Sequence, residues 1–472
     1  MATAYPFKIS PEMYREQRQR LGSSIRAELG DTHAALVMAG SEVPINSTDC
    51  NYLFVQESYF SYLFGLDMPD CYGAVLADGT GIIFIPRLPE DFATWMGVLP
   101  TPASVKEKTL VEEVYYVDEM TKVLSARCTM LEVMSGVNSD SGIEVLLPVV
   151  PKDWKKEQVS TAWLYNALSE QRVHKTAEEV KVLEYVCGVS SRAHVEVMQL
   201  CKPGMSQHQL ESTFLHHVYY HGGCRKVSYT CICATGHHGA TLHYPNNDAP
   251  IMDGQMALLD MGGNYCGYAA DITCSFPVNG KFTPAQKLIY TAVLEAHDRV
   301  MATAKPGVSW VEMHRLALQV MCGHLVEAGI LLGKVEELME KQIMQFFQPH
   351  GLGHLIGLDV HDVGGYLPHC PPRPSEKDCC KLRFARVLEE NMYITIEPGC
   401  YFNHALLTNA MGDEKFAAYF NQDKIRKEFW DFGGVRIESD VLVTADGARN
   451  LTRVPRLMED IERVMSGEPF TS

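Results

Sequence analysis

The sequence predicts two domains, a compact α/β unit followed by a larger α+β unit that carries the chemistry. Three observations predict it. At 472 residues the chain exceeds what one hydrophobic core ordinarily serves, so two or three domains are expected. Roughly the first 170 residues alternate short apolar runs with helical stretches. Beyond them, long capped helices are interleaved with strand-like segments that end in acids.

In the first part, GAVLADGTGIIFIPRLP (73–89) reads as a hairpin, two β-rich runs joined by an Asp-Gly turn. VLLPVVPKDW (145–154) follows the polar segment GVNSDSG and completes the α/β unit; no chemistry is concentrated there. A helical connector opens at KTAEEVKVLEYVCGVSSRAHVEVM. Thr176 and Glu179 form its capping box, each side chain satisfying a free amide of the first turn. Ser206 with Gln209 and Thr283 with Gln286 repeat the device, and Pro284 suits a first helical position. VSWVEMHRLALQVMCGHLVEAGI is a further amphipathic helix. VSYTCICATG, QMALLDMGG, YAADITCSFPV, YITIEPG and VRIESDVLVT read as strands, placing the domain boundary near residues 165–180. MALLDMGG with DITCSF, and YITIEPG with VRIESDVLVT, form a weak internal repeat in which each half supplies two carboxylates.

Bulk composition narrows the function. Apolar residues make up 46% and charged residues 21%, ordinary for a soluble globular protein. A net charge of −17 argues against nucleic acid or an anionic membrane as partner. No apolar run approaches the ~18 residues a bilayer span needs, and the opening MATAYPFKISPEMYREQRQR has no apolar signal core, so export is not expected. Fifteen scattered cysteines without a C-x-x-C pair fit thiols of a reducing, cytoplasmic compartment. The glycosylation patterns at Asn46 and Asn450 are then matches by chance.

The acids carry the functional signal. Asp260, Asp271, Glu397 and Glu438 all end apolar, β-prone runs, where acids are depleted. Any one of them alone reads as a solvated strand end. Together with a histidine of QPHGLGHLIGLDVHDVGG (348–365), which places His350, His354 and His361 among five glycines, they form a ligand set for two hard divalent cations. Four carboxylates balance two such ions, and the pair could make hydroxide for hydrolysis. Asp260 and Asp271 are expected to face each other across a hairpin centred at Tyr265 and Cys266, about 4.5–5.5 Å apart. In VRIESD the period of two puts Arg436, Glu438 and Asp440 on one face. GLGHLIG imitates a phosphate loop, but EKQIMQFFQP before it is no convincing strand; its glycines are expected to let backbone and imidazoles approach metal or substrate.

SYTCICATG, LHY, LLDMGGNYCGYAADITCSFP, PHGLGHLIGLDVHDVGGY, ITIEPGCYF and GGVRIESDVLVT, in that order, resemble the signatures of the prolidases, the Xaa-Pro dipeptidases of the pita-bread metallopeptidase family. The cytosolic prolidases of eukaryotes are the nearest type. The resemblance implies an α/β creatinase-like N-terminal domain (1–170) of the aminopeptidase P type, an α+β pita-bread catalytic domain (171–472), and a homodimer. It implies Asp260, Asp271, His354, Glu397 and Glu438 as ligands of two manganese ions, Asp271 and Glu438 bridging them, and a bridging hydroxide that attacks the carbonyl before proline. Glu397 would pass the proton to the leaving nitrogen. His243, His350 and His361 match histidines around the substrate, Arg383 in KLRFAR the arginine for its carboxylate, and Arg436 and Tyr229 positions beside the metals. Trp95 in FATWMG matches a residue presented toward a neighbouring subunit's site. The segment FNHALLTNAMGDEKFAAYFNQDKIRKEFWDF and Arg383 distinguish prolidase from aminopeptidase P, which stays open as the alternative. The stretch HYPNNDAPIMDG is shorter than in the animal enzymes.

Overall fold

The computed structural model describes residues 7–46, 48–145, 150 and 154–470. The chain divides into two compact units, one spanning Lys8–Glu179 and the other running from Val180 onward and taking in Phe7. No helix among the described residues is long and apolar enough to cross a membrane.

The first unit is built on a six-stranded mixed sheet. Its spatial order is Glu113–Tyr116, Gly81–Ile85, Tyr72–Leu76, His33–Met38, Met130–Val133 and Val159–Ser160. Tyr72–Leu76 and Gly81–Ile85 form the expected hairpin, with Gly79 at φ 85° in the turn where L side chains are strained. Ala34, Leu36, Ala74, Ile82, Phe84 and Leu131 make its core. Most of VLLPVVPKDW lies outside the described residues, but Val150 and Trp154 pack on that core.

The three capping boxes form. Thr176 N–H donates to Glu179 Oε2 (2.9 Å) and Glu179 N–H to Thr176 Oγ1 (3.2 Å), opening the helix Ala177–Leu200. Ser206–Gln209 and Thr283–Gln286 open Gln207–Tyr220 and Pro284–Thr303 in the same way. Pro284–Thr303 packs against Trp310–Glu327.

Two antiparallel strand pairs organise the second unit. Met256–Asp260 pairs with Thr273–Pro277, and Tyr393–Ile396 pairs with Ser439–Val443. In each pair one acid closes the first strand (Asp260, Glu397) and the other stands just ahead of the second (Asp271, Glu438). The repeat suspected in the sequence is therefore a repeat of acid placement. Hydrogen bonds join the halves: Glu438 N–H to Thr273 O (3.2 Å), and Ser275 Oγ with both the amide (3.1 Å) and carbonyl (2.9 Å) of Arg436.

Two register expectations need correction. Asp260 faces Thr273, not Asp271, because the turn lies one residue further on than read. Tyr265 pairs with Tyr268, and the residues between them, Cys266 (φ 51°) and Gly267 (φ 93°), supply the two positive dihedrals that a tight primed turn requires. The register shifts by two residues, so the period of two still keeps Asp271 on the side of Asp260. The run VRIESD is not one strand either. Gly434–Arg436 pairs with Gly399–Tyr401, whereas Ser439–Val443 pairs with Tyr393–Ile396. Pro398, which has no N–H, interrupts the partner strand, and Ile437 N–H bonds Pro398 O (3.2 Å) at the break. Arg436 and Glu438 both reach Thr273, while Asp440 instead accepts the amide of Asp271 (3.1 Å). The insertion 402–432 forms the helix His404–Gly412, capped by Asn403, and short turns ending at Phe429.

Beneath the first strand pair, His194 is fully buried, edge-on to Phe214, and hydrogen-bonds Met261 O through Nε2 (2.9 Å). Burial lowers its pKa from 6.5 to about 4. A lowered histidine contributes stability above pH 6.5 that is lost as pH falls toward 4. His194→Gln cannot charge, so its thermal unfolding temperature should fall less than wild type's across that interval; parallel curves would refute this.

Candidate metal centre

The site forms where the two strand pairs meet. Asp271, His354 and Glu438, all buried, bring ligand atoms within 4.8 Å of one another. Asp260 is tied to Asp271 by Tyr229, whose hydroxyl lies within hydrogen-bond reach of one oxygen of each acid. One hydroxyl has one proton to donate, so it can satisfy only one acid at a time. Burial first, then Asp260 and Asp271, holds the Tyr229 phenol well above its ordinary range, so it stays protonated.

Arg436 is the buried cation of the cluster. Its Nη2 donates to Asp260 Oδ2 (2.5 Å), Nη1 to Tyr401 OH (2.8 Å) and Nε to Thr273 Oγ1 (3.0 Å). Thr273 donates its own hydroxyl hydrogen bond to Glu438 Oε2 (2.6 Å). The Tyr401 hydroxyl can in turn donate to His350 Nε2 (2.8 Å), while His350 Nδ1–H faces Gly351 O (2.7 Å). Burial and then Arg436 push the His350 pKa down to about 3, so this ring is neutral.

The loop 350–357 delivers His354. Its backbone N–H donates to Thr395 Oγ1 (3.0 Å) and its Nδ1–H to Leu355 O (3.0 Å). That second bond leaves Nε2 as the lone-pair nitrogen, 3.3 Å from Asp271 Oδ2 and 3.6 Å from Glu397 Oε1. A carbonyl bond on one nitrogen with the other aimed at carboxylates is the posture of a metal-bound imidazole. Two of the glycines answer to backbone packing. A Cβ on Gly353 would stand 2.1 Å from Thr395 O, and one on Gly351 2.9 Å from Leu382 Cα. They let the loop lie against neighbouring backbone.

Burial raises the pKa of Asp271, Glu397 and Glu438 well above the carboxylate range, with neighbouring acids adding to the shift. The donor set therefore fits divalent metal: four acids and one imidazole, with one guanidinium in contact, leave negative charge that a cation would neutralise.

The other residues singled out in the sequence fall as follows. His361 lies edge-on to His354, with ring centroids 4.6 Å apart. His243 is exposed; desolvation, then the charge of Arg436, lowers its pKa, and Asp260, Arg383 and His361 also act on it. Arg383 likewise acts on Glu397 and His350. The neighbouring Arg386 is buried and turned to Gly364 O (3.2 Å) and Glu389 (2.9 Å). Trp95 belongs to the first unit and is 83% exposed. Sequence reasoning missed Thr273, Thr395 and Tyr401, ordinary-looking hydroxyl residues on strands. Asp440, whose pKa burial lifts to about 7, was noticed only as a face residue.

Residues 181–445 match metallopeptidase family M24, and residues 14–133 match the aminopeptidase P N-terminal domain. Over 468 residues the chain is 44% identical to the Xaa-Pro dipeptidase of Mus musculus, covering 98% of this chain and 94% of that protein. It is 34% identical over 430 residues to a probable Xaa-Pro aminopeptidase of Talaromyces marneffei, 90% of each chain. Zinc-substituted aminopeptidase P of E. coli, solved in complex with product, superposes with a TM-score of 0.78 at 30% identity, covering 98% of this chain and 99% of the other. Fold and site thus define a two-domain hydrolase built around a buried cluster suited to metal. The chain belongs to metallopeptidase family M24, with an aminopeptidase P-type N-terminal domain ahead of a pita-bread domain.

Gly353→Ala should displace the loop and with it His354. We expect a loss of about 1–3 kcal/mol of stability and at least roughly tenfold weaker manganese binding. Gly323→Ala, where an added Cβ meets nothing within 4 Å, is the control and should be neutral or stabilising. Unchanged manganese affinity in Gly353→Ala would show that the close packing does not position His354.

Proposed function

We propose that this metallopeptidase is an Xaa-Pro dipeptidase that releases proline from Xaa-Pro dipeptides. The observation that carries the reading is 44% identity over nearly the whole length to an Xaa-Pro dipeptidase, with Arg383 close enough for its charge to reach Glu397 and His350. Residues 171–472 would be the catalytic domain and 1–170 the creatinase-like domain, in a cytoplasmic homodimer. Asp260, Asp271, His354, Glu397 and Glu438 would hold two divalent ions, manganese foremost. When bound, such ions ionise water to hydroxide near neutral pH and polarise the scissile carbonyl.

The remaining steps belong to the side chains. Glu397 would pass a proton to the proline nitrogen as it leaves. His350 and His243 would border the reacting carbonyl, and His361 the substrate beside it. Arg436 and Tyr229 would keep Asp260 and Asp271 oriented. Arg383 would pair with the substrate's C-terminal carboxylate through two parallel hydrogen bonds, and Trp95 would reach the site of the partner subunit.

The alternative is aminopeptidase P activity on longer peptides, favoured by the fungal and bacterial relatives. Proline release from Gly-Pro and hydrolysis of Gly-Pro-Gly, each with and without manganese, decide between them. A third residue puts an amide where Arg383 needs a carboxylate, at a cost of about 2–5 kcal/mol, roughly 30-fold to several thousandfold. Gly-Pro should therefore be cut far faster, only with metal, and Arg383→Ala should erase much of the preference. Comparable rates on both peptides in the wild type would make aminopeptidase P the better description. Trp95→Ala should raise KM for Gly-Pro while the dimer persists; loss of the dimer with unchanged KM would reduce Trp95 to an interface residue.

A further inference from the structure

The helix Gln207–Tyr220 and its cap end in HHVYYH, residues 216–221, which takes no part in the site above. His217 and His221 are four residues apart, so they stand one above the other on the same face. Their ring centroids are 4.9 Å apart. Glu196, on the helix Ala177–Leu200, hydrogen-bonds Nδ1 of His217. The other ring nitrogen, Nε2, is buried and has no hydrogen-bond partner. Buried polar nitrogens are ordinarily satisfied, so this one calls for a ligand. An imidazole clamped by a carboxylate on one nitrogen and left open at the other is built like a metal ligand with its supporting acid.

We propose that His217 Nε2 and His221 bind one late divalent transition-metal ion, of the zinc, nickel or copper(II) class. Glu196 orients His217, and water completes the coordination. Imidazole donors select these metals over manganese, whereas the acid-rich cluster suits harder ions. Desolvation lowers the pKa of His217, and His221 and Arg192 lower it further against the pull of Glu196, which keeps the ring in its metal-binding neutral form. His221 is exposed and gives the ion a way in. His216, stacked on Tyr220 with centroids 5.2 Å apart and 6.2 Å from His221, remains outside the pair. Arg192 also acts on His217 and opposes the ion, which limits its affinity.

The test compares wild type with His221→Ala, His221→Gln and Glu196→Gln, each loaded with manganese and dialysed against copper(II). Because copper can also enter the acid cluster, the readout is the difference in equivalents bound. Wild type should hold one more than either His221 variant, with a nitrogen-rich electron paramagnetic resonance signal that those variants lack. Glu196→Gln should bind that equivalent about 10- to 100-fold more weakly. Manganese content and thermal unfolding of the His221 variants should match wild type. Equal copper equivalents in wild type and the His221 variants, or an unchanged affinity in Glu196→Gln, would overturn the proposal.

Discussion

Four carboxylates gathered in a buried cluster, with one guanidinium in direct contact, are the constraint that the second unit is organised around. Ionised acids out of water are costly unless paired, and nearly every polar contact near them reads as a response. Arg436 neutralises Asp260 and is itself held by Tyr401 and Thr273. Thr273 and Tyr229 donate to Glu438 and to the aspartate pair. What these contacts leave uncompensated appears as the raised pKa values of Asp271, Glu397 and Glu438. Protons or cations must make up the difference. A family of metal-dependent peptidases is where such an arrangement belongs.

The frame that holds the acids together is backbone, not loop. Each acid stands at an end of one of two antiparallel pairs, and the pairs are bonded to each other at the same points. Glu438 N–H meets Thr273 O, Asp440 accepts the amide of Asp271, and Arg456 Nη1 donates to Thr273 O (2.7 Å). A site on strands is positioned more tightly than one on loops. His354 is the exception, since its loop has to be pressed onto the strand Tyr393–Ile396 before the imidazole can reach the acids. Gly353 makes that approach possible.

How much of this was legible in the sequence follows from what is local. The capping boxes are four-residue devices and were readable outright. The acids were readable because carboxylates are rare at the ends of β-prone runs, so four of them stood out. The hairpin register was misjudged by two residues, since the turn follows the pair of dihedrals available at Cys266 and Gly267 and not the symmetry of the two aspartates. The break in VRIESD depends on Pro398, forty residues earlier in sequence and adjacent only in space. Thr273 and Tyr401 were invisible for the opposite reason: threonine and tyrosine are common in strands, and only contact with Arg436 gives them a role.

Charge also explains why a substrate ending in a carboxylate suits a site made of acids. The relay from Arg436 through Tyr401 ends on a neutral His350. That imidazole therefore adds no positive charge. Without metal, an approaching carboxylate would meet the same repulsion that already lifts the pKa values of the acids. On the dinuclear reading, two divalent ions would cancel the four carboxylates, and the positive charge of the guanidinium groups near them would then no longer be outweighed. Arg436 is committed to Asp260, and Arg383 is the guanidinium proposed to pair with the anion. The ions would then do more than supply the chemistry, because they would also turn a cluster that repels the substrate's carboxylate into one that accepts it.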